Sequence, residues 1–200
     1  MIDRWIRPLI DPPLTRAGRL LAAGGIGADA VTIGACVLGL GGAAAITFGE
    51  FTLALLLLIA NRIADGLDGA VARATRATDR GAFLDITLDF AVYAAVPLGF
   101  ALWDHDNALA AAFLLACFLA NGSAFLAFSV MAQRRGLSTD AQGEKSIYYL
   151  AGLAEGTETA VFMIAVCLFP AAFELLAMIF AVLCFVSAIA RVALGWKLLS

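Results

Sequence analysis

Residues 108–131 read ALAAAFLLACFLANGSAFLAFSVM, a run of 24 residues without a charge. As a helix rising about 1.5 Å per residue, the run is about 36 Å long, enough to cross the roughly 30 Å hydrocarbon core of a bilayer. It is far longer than a membrane-spanning strand needs to be, and lipid offers no partner to unpaired backbone groups, so a transmembrane helix is expected. Five further apolar runs flank it, near 30–48, 52–73, 82–102, 146–169 and 172–195. The breaks between them are polar or helix-ending: Gly49-Glu50, the segment with Arg76, Asp79 and Arg80, Trp103 to Asn107, residues 133–145, and Pro170. Of the 200 residues, 62% are hydrophobic and only 14% charged, with a mean hydropathy of +0.93. A soluble domain of this size cannot bury that much apolar surface, and a disordered chain would need more charge. The expected fold is an all-α membrane protein of six transmembrane helices.

Ahead of the spans, residues 1–23 place Ile2, Trp5, Ile6, Leu9 and Ile10 at helical spacing among Asp3, Arg4 and Arg7. Leu14, Ala17, Leu20 and Leu21 follow, alternating with Arg16 and Arg19. This pattern suits an amphipathic helix lying at the membrane surface, interrupted at Pro12-Pro13. Gly24, Gly25 and Gly27 read as a flexible joint. The domain division is therefore 1–23, an interfacial helix, and 24–200, the six-helix membrane domain.

The thirteen basic residues set an orientation. Arg4, Arg7, Arg16 and Arg19 precede the first span, and Arg73, Arg76 and Arg80 surround the connection between spans two and three. Arg134, Arg135 and Lys145 surround the connection between spans four and five, and Arg191 and Lys197 end the sixth. All of these fall on one side, and the opposite connections carry no Lys or Arg, so both termini are expected in the cytoplasm. Cys36, Cys117, Cys167 and Cys184 each stand alone in an apolar run and read as buried small hydrophobes. His105, between Asp104 and Asp106, reads as part of a solvated turn. Ala35-xxx-Gly39 and Gly152-xxx-Gly156 are small-residue spacings that suit close helix packing within the chain.

Carboxylates are costly inside a membrane and usually functional there. Spans two and three carry four of them, Asp65, Asp68, Asp85 and Asp89. The first two are three apart and the second two four apart, so each pair shares a helix face. The connection is short, so the helices are expected to be antiparallel neighbours with both pairs at one depth. Four converging carboxylates must take up protons or cations, or be neutralised by Arg62, Arg73, Arg76 and Arg80. Oxygen ligands without Cys or His favour a hard ion such as Mg²⁺, Mn²⁺ or Ca²⁺, and a pair of such ions is a known clamp for phosphoryl transfer. Gly69 and Gly81 remove side chains where a ligand could approach the backbone, Ala72 keeps the next turn small, and Arg73 offers a planar cation to a phosphate oxygen.

The whole string is Asp65-xx-Asp68-Gly69-xx-Ala72-Arg73, seven residues, then Gly81-xxx-Asp85-xxx-Asp89. It resembles the signature of the CDP-alcohol phosphatidyltransferase family. The resemblance implies a CDP-diacylglycerol donor, or a similar CDP-linked lipid, and a small polar acceptor alcohol. It implies two divalent ions, Mg²⁺ or Mn²⁺, on Asp65, Asp68, Asp85 and Asp89, with Ca²⁺ as a non-activating occupant. Asp89 matches the family's general base, and Gly69, Ala72, Arg73 and Gly81 match positions around the nucleotide. A homodimer and a cytoplasmic-side site, in the inner (cell) membrane of a bacterium, are implied as well; no nucleic-acid partner is. The family's Pro-Asn-x-x-Thr at the start of span one stands here as Ala28-Asp29-Ala30-Val31-Thr32. Thr32 carries over as a donor-binding residue. Asp29 either caps the first span or accepts from the cytosine amino group.

Glu155 and Glu158 in span five are intramembrane acids at a depth comparable to the four aspartates. They suit a hydroxyl-rich or amine-bearing acceptor, or serve as partners for Arg191 or another buried arginine. Arg134, Lys145 and Arg191 suit a phosphorylated one, and the count of basic residues favours glycerol 3-phosphate. Serine, inositol phosphate or another polyol are the alternatives. A cation-coupled transporter is the rival of a different class; it would want acids near the midplane and two repeats with broken helices, and neither is present.

Overall fold

A computed structural model describes residues 3–135, 154 and 156–199, with side chains from residue 11 onward. The described residues are helical, with no strand among them: α1 (Asp3–Ala23), α2 (Ala28–Thr47), α3 (Phe51–Ala74), α4 (Asp79–Trp103), α5 (Ala108–Arg134), α6 (Gly156–Leu168) and α7 (Phe173–Leu199). Short 3-10 turns at His105–Asn107 and Pro170–Ala172 precede α5 and α7. Among the described residues, four helical segments are long and apolar enough to cross a membrane: Ala28–Thr47, Asp79–Trp103, His105–Arg134 and Pro170–Leu198. Large apolar side chains on their outer faces, such as Leu109, Leu119, Ile179, Phe185 and Val192, are exposed, as suits contact with lipid. α3 has the length of a span, 24 residues, but carries Arg62, Asp65, Asp68 and Arg73. Of the expected fifth span, only 156–168 is described as helix, and Gly152, Lys145 and Glu155 lie outside the described residues.

Two expectations about the N-terminal region need correction. The chain does not break at Pro12-Pro13: α1 runs through both prolines. Proline removes its own backbone donor, but α1 is held from outside by α3. Leu14 packs against Gly66, and Gly18 lies so close to Ala70 that a Cβ on it would stand 2.7–2.8 Å from Ala70 atoms, backbone included. The glycines after α1 are also no loose joint. Gly25 adopts the left-handed φ of 79°, and Gly25 N–H and Ile26 N–H bond back to the Ala22 and Leu21 carbonyls. This Schellman closure ends the helix on its orphan carbonyls. α2 ends the same way, with Gly49 at φ 76° and Glu50 N–H on the Ala45 carbonyl.

α2 packs along both α3 and α4, α5 along α7, and α1 and α6 against α3. The small residues of α2 allow these approaches. Gly39 is buried where a Cβ would stand 2.6–2.7 Å from Val92 of α4, and Gly42 meets Leu58 of α3. Ala35-xxx-Gly39 is thus a packing surface within the chain. α3 and α4 are joined by a short connection, yet their backbones scarcely approach one another; each leans on α2 instead. The two expected neighbours therefore leave a wedge between them, and their acidic faces look into it.

Candidate active site

The wedge opens between three helix ends. The N-terminal turns of α2 and α4 and the last turns of α3 line a pocket of about 520 Å³. Two helix N-termini bring unsatisfied N–H groups and positive dipole ends, a setting that favours anions. Thr78 ends the connection as the N-cap of α4, its hydroxyl accepting from Gly81 N–H at 3.0 Å. Gly81 sits where a Cβ would stand 3.2 Å from Asp29 and from Thr78, so the bare backbone leaves the pocket wall open.

Most of the residues singled out in the sequence meet here. Asp29, Thr32, Asp68, Gly69, Ala72, Gly81 and Asp85 line the pocket, together with Arg76 and Arg80. A small adjoining cavity shares Thr32 and Asp85 and adds Asp65 and Asp89, along with Cys36 and Asn61. Arg73 is exposed, its Nη1 lying 3.2 Å from where a Cβ on Gly69 would be. Asp29 is in the first turn of α2 but makes no cap hydrogen bond; its Oδ2 pairs with Arg80 Nη2 at 2.5 Å across the pocket wall.

The four aspartates are not equivalent. Asp65, Asp68 and Asp85 each present one oxygen such that all three lie within 4.8 Å of one another. Three hard oxygen donors from two helices at this spacing fit a divalent cation of the Mg²⁺ or Mn²⁺ type. Buried Asp68 is fixed by Thr32, whose hydroxyl donates to Oδ2 at 2.7 Å. Asp89 stands apart from that triple and is held by Arg62, with Nη2 to Oδ1 at 2.7 Å, and by the Tyr93 hydroxyl, which donates to Oδ2 at 2.9 Å. Arg62 reaches Asp65 only at 3.5 Å. Neutralisation by arginine thus occurs at one place, Arg62, while Arg80 serves Asp29.

A second polar group lies between α5 and α7. Buried Arg191 donates to Asn121 Oδ1 at 3.2 Å and stacks over Phe125 at 5.0 Å. Asn121 Nδ2 donates to the Ala154 carbonyl at 3.3 Å, and Ser187 accepts from Ala154 N–H at 2.9 Å. Glu158 is in the first turn of α6, and Arg134 is exposed at the end of α5. Sequence reasoning passed over Asn61, Tyr93, Asn121 and Ser187. The position of one was readable: Tyr93 is one turn beyond Asp89 and so shares its acidic face.

A model of the CDP-alcohol phosphatidyltransferase family matches residues 26–193, which contain the pocket and all four aspartates. The chain belongs to the CDP-alcohol phosphatidyltransferase family. It is an enzyme of that class, an integral membrane transferase of phospholipid synthesis. The inner membrane protein YnjF of Escherichia coli is 42% identical over 197 residues, spanning 98% of this chain and 96% of that protein. The archaetidylinositol phosphate synthase of Pyrococcus horikoshii is 36% identical over 105 residues, 50% of this chain and 56% of that one. The phosphatidylinositol phosphate synthase PgsA1 of Mycobacterium tuberculosis, solved with CDP-DAG bound, shares the fold at a TM-score of 0.73 and 24% identity, covering 92% of this chain and 94% of that one. A second PgsA1 structure, in complex with manganese and citrate, aligns at a TM-score of 0.73 and 22% identity over 92% of this chain and 89% of that one. The family setting makes the oxygen triple a candidate divalent-metal site and the pocket a candidate CDP-lipid site.

Proposed function

We propose that this phosphatidyltransferase moves the phosphatidyl group of CDP-diacylglycerol to the hydroxyl of a small phosphorylated polyol and releases CMP. The observation that carries the reading is the convergence of Asp65, Asp68 and Asp85 oxygens within 4.8 Å, beside a pocket walled by two helix N-termini. Asp65, Asp68 and Asp85, with Asp89 completing the acidic set, would hold two divalent ions, which when bound would supply positive charge against the diphosphate and against the charge that develops on departing CMP. The chain's own residues do the rest. Thr32 keeps Asp68 aimed into the pocket; Gly69, Ala72 and Gly81 leave room for the nucleotide; Arg73 and the α2 and α4 N-termini receive phosphate oxygens; Asp29 lies on the nucleotide side. Asp89 takes the proton of the acceptor hydroxyl as its oxygen attacks the lipid-side phosphorus and the bond to CMP breaks. Positioning and charge neutralisation supply most of the acceleration, and a positioned base adds about 10²–10⁴-fold.

The acceptor reading rests on cations: Arg134, Lys145 and Arg191 suit a phosphate, and Glu155 and Glu158 suit polyol hydroxyls. Glycerol 3-phosphate is the simplest acceptor of that kind. Inositol phosphate is the second reading, favoured by the names of the Pyrococcus and Mycobacterium proteins. The topology that goes with it has six spans, α3 and the segment ending in α6 among them, a surface-lying α1, both termini and the site on the cytoplasmic side, and a homodimer. Purified protein supplied with CDP-diacylglycerol and Mn²⁺ or Mg²⁺ tests the proposal. CMP release is expected with glycerol 3-phosphate or inositol phosphate; release only with serine or glycerol overturns the phosphorylated acceptor. Ion transport without CMP release would restore the transporter.

A further inference from the structure

We propose that Arg62 and Tyr93 are positioning residues that aim the Asp89 carboxylate for proton transfer, a task separate from holding the ions. This rests on the reading of Asp89 as the base. Its two oxygens are engaged by different donors: Oδ1 by Arg62 Nη2 at 2.7 Å and Oδ2 by the Tyr93 hydroxyl at 2.9 Å. Arg62 Nη1 also donates to the Tyr93 oxygen at 3.1 Å, closing a ring of three side chains. The ring is anchored on a third helix. Arg62 Nε donates to Asn61 Oδ1 at 2.8 Å, and Asn61, 1% exposed, donates to the Ala35 carbonyl of α2 at 2.8 Å. A lone carboxyl group rotates over a broad range; donors on both oxygens, fixed through α2, α3 and α4, stop that rotation. Pre-set orientation of this kind is what a positioned base requires.

The rival role for Arg62 is plain neutralisation of crowded acids. Such a cation would sit among the oxygens of Asp65, Asp68 and Asp85. The shortest contact of Arg62 with a carboxylate is instead to the one outside that group, and its approach to Asp65 is 3.5 Å. The two roles separate in kcat. Removing a merely neutralising charge leaves cation binding intact or tighter and the chemical step unchanged, whereas removing an aiming group slows the reaction.

The test compares Arg62→Met, Arg62→Lys and Tyr93→Phe in the purified full-length enzyme, measuring kcat, KM for CDP-diacylglycerol and Mn²⁺ affinity by electron paramagnetic resonance titration. For Arg62→Met, kcat is expected to fall about 100-fold with KM changed by less than about threefold, and Mn²⁺ to bind as tightly as in wild type or more so. Arg62→Lys, which keeps the charge on a single donor nitrogen, recovers about tenfold of that loss. Tyr93→Phe, which keeps the ring, lowers kcat about three- to tenfold at unchanged Mn²⁺ affinity. An Arg62→Met kcat within about twofold of wild type, or a loss of Mn²⁺ binding in step with kcat, overturns the inference. Should Arg62→Met not fold, Tyr93→Phe decides alone: a wild-type kcat overturns it and the stated fall supports it. Asp89→Asn keeps the two readings distinct. Wild-type kcat in that variant sinks the base assignment itself, whereas a normal loss there beside an unaffected Arg62→Met sinks only the inference.

Discussion

α4 passes through two unlike regions. Its N-terminal part, as far as Tyr93, carries Asp85, Asp89 and Tyr93 into the wedge that faces α3. Its second half buries Val96, Pro97 and Phe100 completely, with Phe100 stacked on Phe173 at 4.2 Å and Phe51 set edge-on to Trp103 at 4.8 Å. One end is held by polar contacts across a gap, the other by close packing. The acidic side chains face one another across the gap at one end, while aromatic contacts at the other end, with α2 packed on both α3 and α4, hold the helices in place. The site proposed to admit a diphosphate and ions is thereby built on helices clamped elsewhere.

That contrast can be broken at either end. Stripping divalent ions with EDTA should abolish CMP release entirely, with Mn²⁺ or Mg²⁺ restoring it and Ca²⁺ failing to; residual turnover in ion-free enzyme would mean that the acids act without metal. Asp68→Asn or Asp85→Asn should lower kcat on the order of 10³-fold, by analogy with the loss of one strong electrostatic stabiliser. Because each also relieves repulsion, ion-free Tm should stay level or rise, measured by scanning fluorimetry in detergent; a marked fall in Tm would make these acids structural. Phe100→Ala strikes the closed end and reverses the pattern. It should cost about 3 kcal/mol of stability by opening a cavity, while the surviving folded protein keeps its turnover. Asp29→Asn should do least, with KM for the CDP-lipid within about threefold, since Arg80 is solvent-exposed and its pair with half-buried Asp29 is worth little.

The membrane class and the helix boundaries were legible because lipid leaves few choices: the expected runs at 30–48, 52–73 and 82–102 return as 28–47, 51–74 and 79–103. The grouping of acids was legible from spacing alone, three and four residues being one helical turn. What spacing does not encode is the distance between α3 and α4. That is set by how closely α2 approaches each, through Gly39 against Val92 and Gly42 against Leu58, contacts remote in sequence. The division of four aspartates into a triple and a separately held Asp89 depends on that distance. The passage of α1 through two prolines depends likewise on Gly18 against Ala70, a tertiary contact that overrides a local signal.

The account depends on α3 and α4 sharing cations across the wedge. Anomalous diffraction from crystals grown with Mn²⁺ and CDP-diacylglycerol tests this most directly. The account predicts anomalous peaks among the Asp65, Asp68 and Asp85 oxygens, next to the lipid diphosphate. Peaks confined to other carboxylates, or a diphosphate bound in the pocket with no ion between α3 and α4, would contradict it.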